Sequence, residues 1–234
     1  MYKVFVADEL APEGIAALKE YAEIEIDFSP GLTVDEAIPH VKNADAIIVR
    51  SATKLKGQLL DAAARCKVIG RAGIGVDNID LDVSTERGIV VFNTPDANAT
   101  TTAELAIAHM FSLSRKLPEA DLSVRSGKWQ RNEFVGAEVS GKTVGIVGFG
   151  TIGRLLAERC LGLKMKVVAY DPFVTQQTFA EHGVETKDLD GLVAVSDYIT
   201  LHCPVTDGTR GLFSRERLLA MKAGSRIKIG RAHV

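Results

Sequence analysis

The sequence predicts an α/β fold with two domains built on parallel sheets, and three observations support this. Short β-branched runs alternate with amphipathic stretches of helical period, which is typical of strand–helix–strand units. The length of 234 residues allows two modest domains, each with its own core. The alternation is interrupted once, by a long apolar stretch at residues 101–117. We therefore expect a first domain over residues 1–97 and a second over residues 98–227.

Local signals mark the elements of the first domain. Pro12 suits the first turn of a helix, because its missing N–H has no helical partner there. Thr33 and Glu36 have the spacing of a capping box that opens a second helix, and a third is expected over residues 59–64. Pro95 stops regular strand pairing. The expected strands cover residues 4–7, 24–28, 46–49, 68–70 and 89–92.

The second domain begins with the interrupting stretch. A helix over residues 101–117 would be apolar on most of its circumference, so we expect burial on more than one side. It would either join the two domains or lie in a subunit interface, and both readings stay open. A polar, irregular segment containing residues 127–129 is expected next. The alternation then predicts strands at 144–147, 167–170, 198–201 and from 226, and helices at 152–163, 175–182 and 215–221.

Composition and charge narrow the function classes. A net charge of -2 gives no electrostatic case for binding nucleic acid or an anionic membrane surface. No apolar run approaches the roughly 20 residues that span a bilayer, and no signal-peptide pattern opens the chain. The cysteines Cys66, Cys160 and Cys203 form no close pair, and the five histidines form no metal-binding pair. We expect a cytoplasmic protein with reduced thiols and no metal.

The sharpest motif is the three-glycine pattern Gly148, Gly150 and Gly153, placed between a predicted strand and a predicted helix. Such glycines allow a tight turn, a close approach of backbone to a pyrophosphate, and close packing of helix on strand. Asp171 ends the next strand, where a carboxylate can bind an adenosine ribose hydroxyl and repel the 2′-phosphate of NADP. The pattern predicts a Rossmann-like NAD site. A plain tight turn and a solvated carboxylate are the alternatives.

Several stretches resemble the D-isomer-specific 2-hydroxyacid dehydrogenase family, in particular its D-3-phosphoglycerate dehydrogenase branch. They are residues 50–54 (Arg-Ser-Ala-Thr-Lys), 70–80 (Gly-Arg-Ala-Gly-Ile-Gly-Val-Asp-Asn-Ile-Asp), 93–95 (Asn-Thr-Pro), 102–105 (Thr-Ala-Glu-Leu) and 141–148. The resemblance extends to about residue 227. It implies two Rossmann-like or flavodoxin-like domains, of which the first holds the substrate and the second holds NAD, with a cleft between them.

The resemblance implies where a substrate would bind. Arg50, Ser51, Thr53 and Lys54 would line the substrate side, and cationic groups there suit a phosphorylated acid. The alternative is a surface Arg and Lys at a strand end. A glycine-rich loop would cradle the substrate carboxylate with its N–H groups, or would be an ordinary turn. That loop consists of Gly73, Ile74, Gly75 and Val76, and Asn78 would help to hold it.

Further cofactor contacts follow from the same resemblance. Thr151 and Ile152 would meet the pyrophosphate, and Thr102 also corresponds to a cofactor-binding position. The segment His202, Cys203 and Pro204 would lie along the cofactor, although His202 alone is more simply a structural histidine.

The end of the chain departs from the family pattern. The resemblance implies a catalytic Arg, Glu and His, and aligning from Gly224 puts the Arg position on Ala232. Arg231 is one place off, and His233 lacks the expected surroundings, so no catalytic residue is assigned. We expect residues 228–234 to be a non-native tail, the second domain to be incomplete, and the chain by itself to be an inactive, poorly stable fragment.

The function implied is NAD-dependent oxidation of 3-phospho-D-glycerate, a small phosphorylated 2-hydroxy acid, at the entry to serine synthesis. Alternatives are another dehydrogenase of the family, of the glyoxylate/hydroxypyruvate reductase or D-lactate type, and a non-enzymatic NAD-sensing protein similar to transcriptional corepressors. The family resemblance also implies a homodimer or homotetramer.

Overall fold

The computed structural model describes residues 1–95 and 97–229. The chain divides into two compact units, Met1–Asn98 and Ala99–Val234. Each unit contains one five-stranded parallel sheet with helices, so the predicted α/β class with two parallel sheets is confirmed.

The first unit has the sheet order β2-β1-β3-β4-β5. Its strands are β1 Tyr2–Val6, β2 Ile24–Phe28, β3 Ala46–Val49, β4 Val68–Arg71 and β5 Val90–Asn93. Its helices are α1 Pro12–Lys19, α2 Val34–Asn43, α3 Gly57–Ala62 and α4 Leu81–Glu86. Pro12 occupies the first turn of α1, and Thr33 with Glu36 forms the predicted capping box of α2.

One face of this sheet carries the core. Phe5, Ile47, Ile69 and Val91 are side-by-side partners across four strands, and all four belong to the hydrophobic cluster of the unit. The opposite face is also buried at the centre of the sheet, where Val4 and Val6 are 5% and 0% exposed, whereas Phe92 at the sheet edge remains 55% exposed.

The second unit has the sheet order β10-β9-β6-β7-β8. Its strands are β6 Thr143–Val147, β7 Lys166–Tyr170, β8 Glu185–Thr186, β9 Tyr198–Leu201 and β10 Arg226–Lys228. Its helices are α5 Ala99–Arg115, α6 Leu117–Arg125, α7 Thr151–Gly162, α8 Gln176–Glu181, α9 Leu189–Val195 and α10 Arg215–Leu219, with a 3-10 turn at Arg131–Phe134. A core of Val147, Val168, Leu192, Val193 and Ile199 fills the space under α9.

The long apolar helix differs from its prediction in two ways. It ends at Arg115, where Lys116 turns left-handed (φ 50°), and a separate helix α6 begins at Leu117 in the segment expected to be irregular. Pro118 favours this break, because a proline has no N–H to donate to the carbonyl of Ser114, four residues earlier, and its ring would collide with that carbonyl. The buried positions of α5 also lie on a single face, and Leu113 is 51% exposed, so the helix is not buried on more than one side.

Besides α6, the elements α4, β8, α9 and the 3-10 turn at Arg131–Phe134 were not predicted. None of the helices in residues 1–95 and 97–229 is long and apolar enough to cross a membrane. Those same residues contain no cluster of His, Cys, Asp or Glu suited to a metal ion.

Candidate functional site

The three-glycine motif forms the turn between β6 and α7. Gly148 has φ +95°, and a Cβ on it would lie 2.6 Å from the backbone nitrogen of Cys203. A Cβ on Gly153 would overlap the carbonyl oxygen of Gly148. Both positions therefore exclude any side chain, for the two steric reasons that the sequence pattern indicates.

The amino end of α7 is open. Gly150 is the N-cap and no side chain caps the helix, so the N–H groups of its first turn are left for another acceptor. A Cβ on Gly150 would meet nothing within 4 Å. Thr151 is exposed, whereas Ile152 is buried. Free N–H groups together with the positive end of the helix dipole can hold an anionic group such as a phosphate.

The carboxylate of Asp171 joins the glycine turn to the end of β7. Its Oδ2 accepts a hydrogen bond from Phe149 N at 2.8 Å, and its Oδ1 accepts one from Phe173 N at 3.0 Å. The side chain is thus fixed rather than free in solvent, and each carboxylate oxygen keeps acceptor capacity for a ligand hydroxyl. The sequence analysis predicted the ligand contact and missed the bond to the turn.

The segment after β9 lies against the same turn. His202 N donates to Val147 O at 2.7 Å, and the backbone of Cys203 is the neighbour that forbids a side chain on Gly148. The His202 ring is buried, with its Nε2 2.9 Å from Thr200 Oγ1. The structure thus brings His202 and Cys203 to the glycine turn and leads the chain into Pro204. Thr102, by contrast, is on the buried face of α5.

In the first unit, a buried carboxylate shapes the loop after β3. Asp8 follows β1 and is only 5% exposed. It accepts hydrogen bonds from Arg50 N at 2.6 Å, Thr53 N at 3.1 Å and Thr53 Oγ1 at 2.6 Å. Arg50, Ser51 and Lys54 remain exposed on this loop. Sequence reasoning missed Asp8, because its partners are 42 and 45 residues away along the chain.

Asn78 holds the same loop from the other side. Its Nδ2 donates to Arg50 O at 2.8 Å and to Thr53 O at 2.7 Å. The prediction that Asn78 holds the glycine-rich loop at residues 73–76 was therefore wrong about which loop its amide contacts. Asn93 has that role instead, donating from Nδ2 to Ile74 O at 2.6 Å.

The glycine-rich loop at residues 73–76 follows β4. Thr94 N donates to Gly73 O at 3.1 Å, so the turn after β5 supports it. Gly73 has φ +153°, and a Cβ on it would overlap the guanidinium of Arg71. The buried Nε of Arg71 has no hydrogen-bond partner within the described ranges. Arg71 lies inside a stretch quoted for the family resemblance, but its place at the end of β4 gave no reason to single it out.

All the predicted substrate residues thus lie in the first unit, on loops at the carboxyl ends of its strands, where α/β sheets bind ligands. All the predicted cofactor residues lie in the second unit. Arg231, Ala232 and His233, like the rest of residues 230–234, lie outside the described residues.

The buried thiols do not add a nucleophile to either site. Burial raises the pKa of the Cys160 thiol to about 12 and also raises the pKa of the Cys66 thiol. Since the thiolate is the reactive form, both groups are inert near neutral pH.

The chain matches a family model described as "D-isomer specific 2-hydroxyacid dehydrogenase, NAD binding domain" over residues 107–234. Among curated proteins it is similar to the D-3-phosphoglycerate dehydrogenases of Archaeoglobus fulgidus, at 45% identity over 95% of this chain, and of Mycobacterium tuberculosis, at 43% over 94%. The chain spans about 42% of the length of both relatives.

Solved structures give the same relationship. The NAD-bound 3-phosphoglycerate dehydrogenase of Entamoeba histolytica matches with a TM-score of 0.80 and 31% identity, over 97% of this chain and 70% of that one. The D-lactate dehydrogenase of Aquifex aeolicus, complexed with NAD and lactic acid, matches with a TM-score of 0.83 and 30% identity, over 96% of this chain and 67% of that one.

The second unit fits NAD as its cofactor. The uncapped amino end of α7 and the open space at Gly150 suit a pyrophosphate, and the fixed carboxylate of Asp171 suits a ribose hydroxyl. A plain tight turn would need neither the open helix end nor the carboxylate beside it, so these features favour the predicted cofactor site.

Proposed function

The chain belongs to the D-isomer specific 2-hydroxyacid dehydrogenase family, and on that premise we propose that the protein oxidises 3-phospho-D-glycerate to 3-phosphohydroxypyruvate with NAD. The observation that carries the choice of substrate is the loop after β3. It presents Arg50 and Lys54 to solvent on a backbone that Asp8 and Asn78 hold by hydrogen bonds. The names of the similar D-3-phosphoglycerate dehydrogenases support the same substrate.

The roles of the side chains follow from their chemistry. NAD, when bound, supplies the acceptor for the hydride that leaves C2 of the substrate. Arg50 offers a planar fork of N–H donors to a phosphate or carboxylate, and Lys54 adds a second positive charge. Gly73 N already donates to Arg71 O at 2.8 Å. The N–H groups of residues 74–76 would therefore hold the other anionic end, on a loop supported by Asn93. Asp171 and the first turn of α7 would orient the dinucleotide.

We further propose that residues 1–234 by themselves bind NAD without turning over substrate. The support is that none of the described residues is assigned the role of the catalytic Arg, Glu or His that the family resemblance implies. Steady formation of NADH by these 234 residues would contradict this.

A D-lactate-type activity is the second candidate. The observation in its favour is the D-lactate dehydrogenase structure, which matches this chain as well as the phosphoglycerate enzyme does. The two candidates differ in the ligand group that Arg50 and Lys54 would bind. Lactate has a carboxylate but no phosphate, so a second cation would have no anionic partner.

A substrate panel tests the proposal. NADH formation would be followed by absorbance for the full-length protein that contains these 234 residues, with 3-phospho-D-glycerate, D-glycerate and D-lactate as substrates. We expect 3-phospho-D-glycerate to have the highest kcat/KM, and Arg50→Met to lower that value by about 100-fold, which corresponds to about 2.7 kcal/mol of lost transition-state binding. Lys42→Met, an exposed residue of α2, is the matched control and should leave kcat/KM unchanged. Equal loss with D-lactate would favour the second candidate.

We propose a homodimer or homotetramer in the cytoplasm. Support for assembly comes from the apolar side chains that α5 and α6 leave exposed: Leu113 at 51%, Leu117 at 50%, Leu122 at 69% and Val124 at 58%. Light scattering on the purified protein would report the mass, and Leu122→Glu should shift it toward a monomer. Cell fractionation would test the location.

A further inference from the structure

The ring of Phe149, between the first two glycines of the motif, is anchored by residues outside the motif. It is fully buried, and its centroid lies 4.7 Å from that of Phe179 and 5.7 Å from that of His182. Phe179 belongs to α8 and His182 is its C-cap. The side chain at the tip of the glycine turn is therefore held by a helix that follows β7.

The backbone of Phe149 is held as well. Its N–H donates to Asp171 Oδ2 at 2.8 Å, and its carbonyl oxygen accepts from Arg154 Nε at 3.1 Å. One residue earlier, Gly148 N donates to Tyr170 O at 2.9 Å. With its ring packed on Phe179, Phe149 is fixed at three points, directly before the helix start whose N–H groups are open.

We infer that Phe179 is a positioning residue for NAD: it fixes the ring of Phe149 and thereby the direction in which the N–H groups of Gly150 and the first turn of α7 point. The inference rests on the proposed NAD-dependent function and is independent of which hydroxy acid is the substrate. Hydrogen-bond donors that are held in place before the ligand arrives bind more tightly than donors that must be ordered on binding.

Loss of the Phe179 ring would leave a cavity on one side of Phe149. The turn would then sample several orientations, and each binding event would have to select one of them. Ligand groups that meet the turn should be affected most. Ligand groups that meet only Asp171 should be affected less, because its Oδ1 stays bonded to Phe173 N even if the bond to Phe149 N weakens. Phe179 is 3% exposed, so it would act through Phe149 and not by touching the ligand.

Titration calorimetry on the complete protein with NAD, ADP-ribose and adenosine tests this. Phe179→Ala should raise the Kd for NAD and for ADP-ribose by about tenfold each, because both contain the pyrophosphate, and should change the Kd for adenosine less than about twofold. Phe179→Leu, which refills most of the space, should restore the NAD Kd to within about threefold of the original. Leu192→Ala is the matched control: Leu192 is buried, as Phe179 is, but it belongs to the core cluster under α9, of which Phe149 is not a member.

Three results would overturn the inference. One is an unchanged NAD Kd in Phe179→Ala. Another is an equal loss for adenosine, and the third is an equal loss of NAD affinity in Leu192→Ala at matched thermal stability. If Phe179→Ala does not fold, Phe179→Val replaces it, because valine keeps part of the buried side-chain volume and still removes the ring. An unchanged NAD Kd in that variant also overturns the inference. Failure of the unmodified protein to bind NAD would refute the proposed function instead.

Discussion

The two units begin their sheets in the same way and end them differently. In the first unit, Asp45 stands just before β3 and accepts a hydrogen bond from Lys3 N at the start of β1, at 2.9 Å. In the second, Asp197 stands just before β9 and accepts one from Thr143 N at the start of β6, also at 2.9 Å. At the amino edge of each sheet, the first strand is therefore fixed in the same way, by a backbone N–H that donates to an aspartate carboxylate.

The carboxyl edges of the same two strands diverge. After β1 the chain places the buried carboxylate of Asp8, which holds the loop of Arg50 and Thr53. After β6 it places Gly148 and Gly150, which leave backbone N–H groups open. The same sheet architecture thus carries different groups after its first strand: a buried carboxylate that holds a side-chain-bearing loop in the first unit, and open backbone N–H groups in the second.

The largest expected effect concerns the glycines. Gly148→Ala should weaken NAD binding by about 100-fold or more, because a side chain at φ +95° is strained and would collide with the backbone of Cys203. Gly14→Ala in α1 is the control, since a Cβ there meets nothing within 4 Å and helical Ala is favoured over Gly. Calorimetry with NAD measures both. Normal NAD affinity in Gly148→Ala would contradict the role of the open backbone at the carboxyl edge of the second sheet.

A smaller effect is expected at Asp8. Asp8→Asn should lower the free energy of unfolding by about 2 kcal/mol, because it replaces a charged acceptor of three donors with an amide that offers one oxygen. The variant should also raise KM for the hydroxy acid and leave NAD affinity unchanged, since the loop it holds lies in the first unit. Asp35→Asn, at an exposed position in α2, serves as the control. Urea denaturation followed by circular dichroism gives the stability difference.

The aspartate at the amino edge of the second sheet, Asp197, predicts that the free energy of unfolding depends on pH. Asp197 is partly buried, which opposes ionisation, but the Lys222 ammonium at 2.8 Å and the Thr143 N–H outweigh burial and lower the pKa of its carboxyl. A lowered pKa stabilises the fold above the unfolded value of about 3.9, and that contribution is lost as the pH falls through the folded value. Asp197→Asn should therefore cost about 1 kcal/mol at pH 7 and almost nothing near pH 2. A difference that stays constant with pH would contradict the assignment.

The smallest effect concerns the two buried thiols. Because burial raises the pKa of Cys160 to about 12 and also raises the pKa of Cys66, iodoacetamide at pH 8 should alkylate both more slowly in the native protein than in urea. Peptide mass spectrometry at timed intervals, with a urea-unfolded sample for reference, measures both rates. A native rate equal to the rate in urea would contradict the burial of that thiol.

Features that depend on the local backbone conformation were predictable from the sequence. The left-handed turn at Gly148 requires glycine, and the capping box of α2 requires its particular pair of residues. The break between α5 and α6 also had a local signal in Pro118, which the apolar pattern around it masked. The role of Asp8 had none, because it depends on β1 pairing with β3, which places residues far apart in the chain side by side.

The two backbone hydrogen bonds that Asp171 accepts have a consequence for coenzyme specificity. A single exchange of this carboxylate for a small neutral residue, made to admit the extra phosphate of NADP, would also remove the acceptor that holds Phe149 N. The glycine turn would then become less ordered in the same variant that has room for the extra phosphate. If Asp171 has its proposed role, a change of coenzyme would call for a second substitution that restores an acceptor for that N–H, and the two mutations would be coupled.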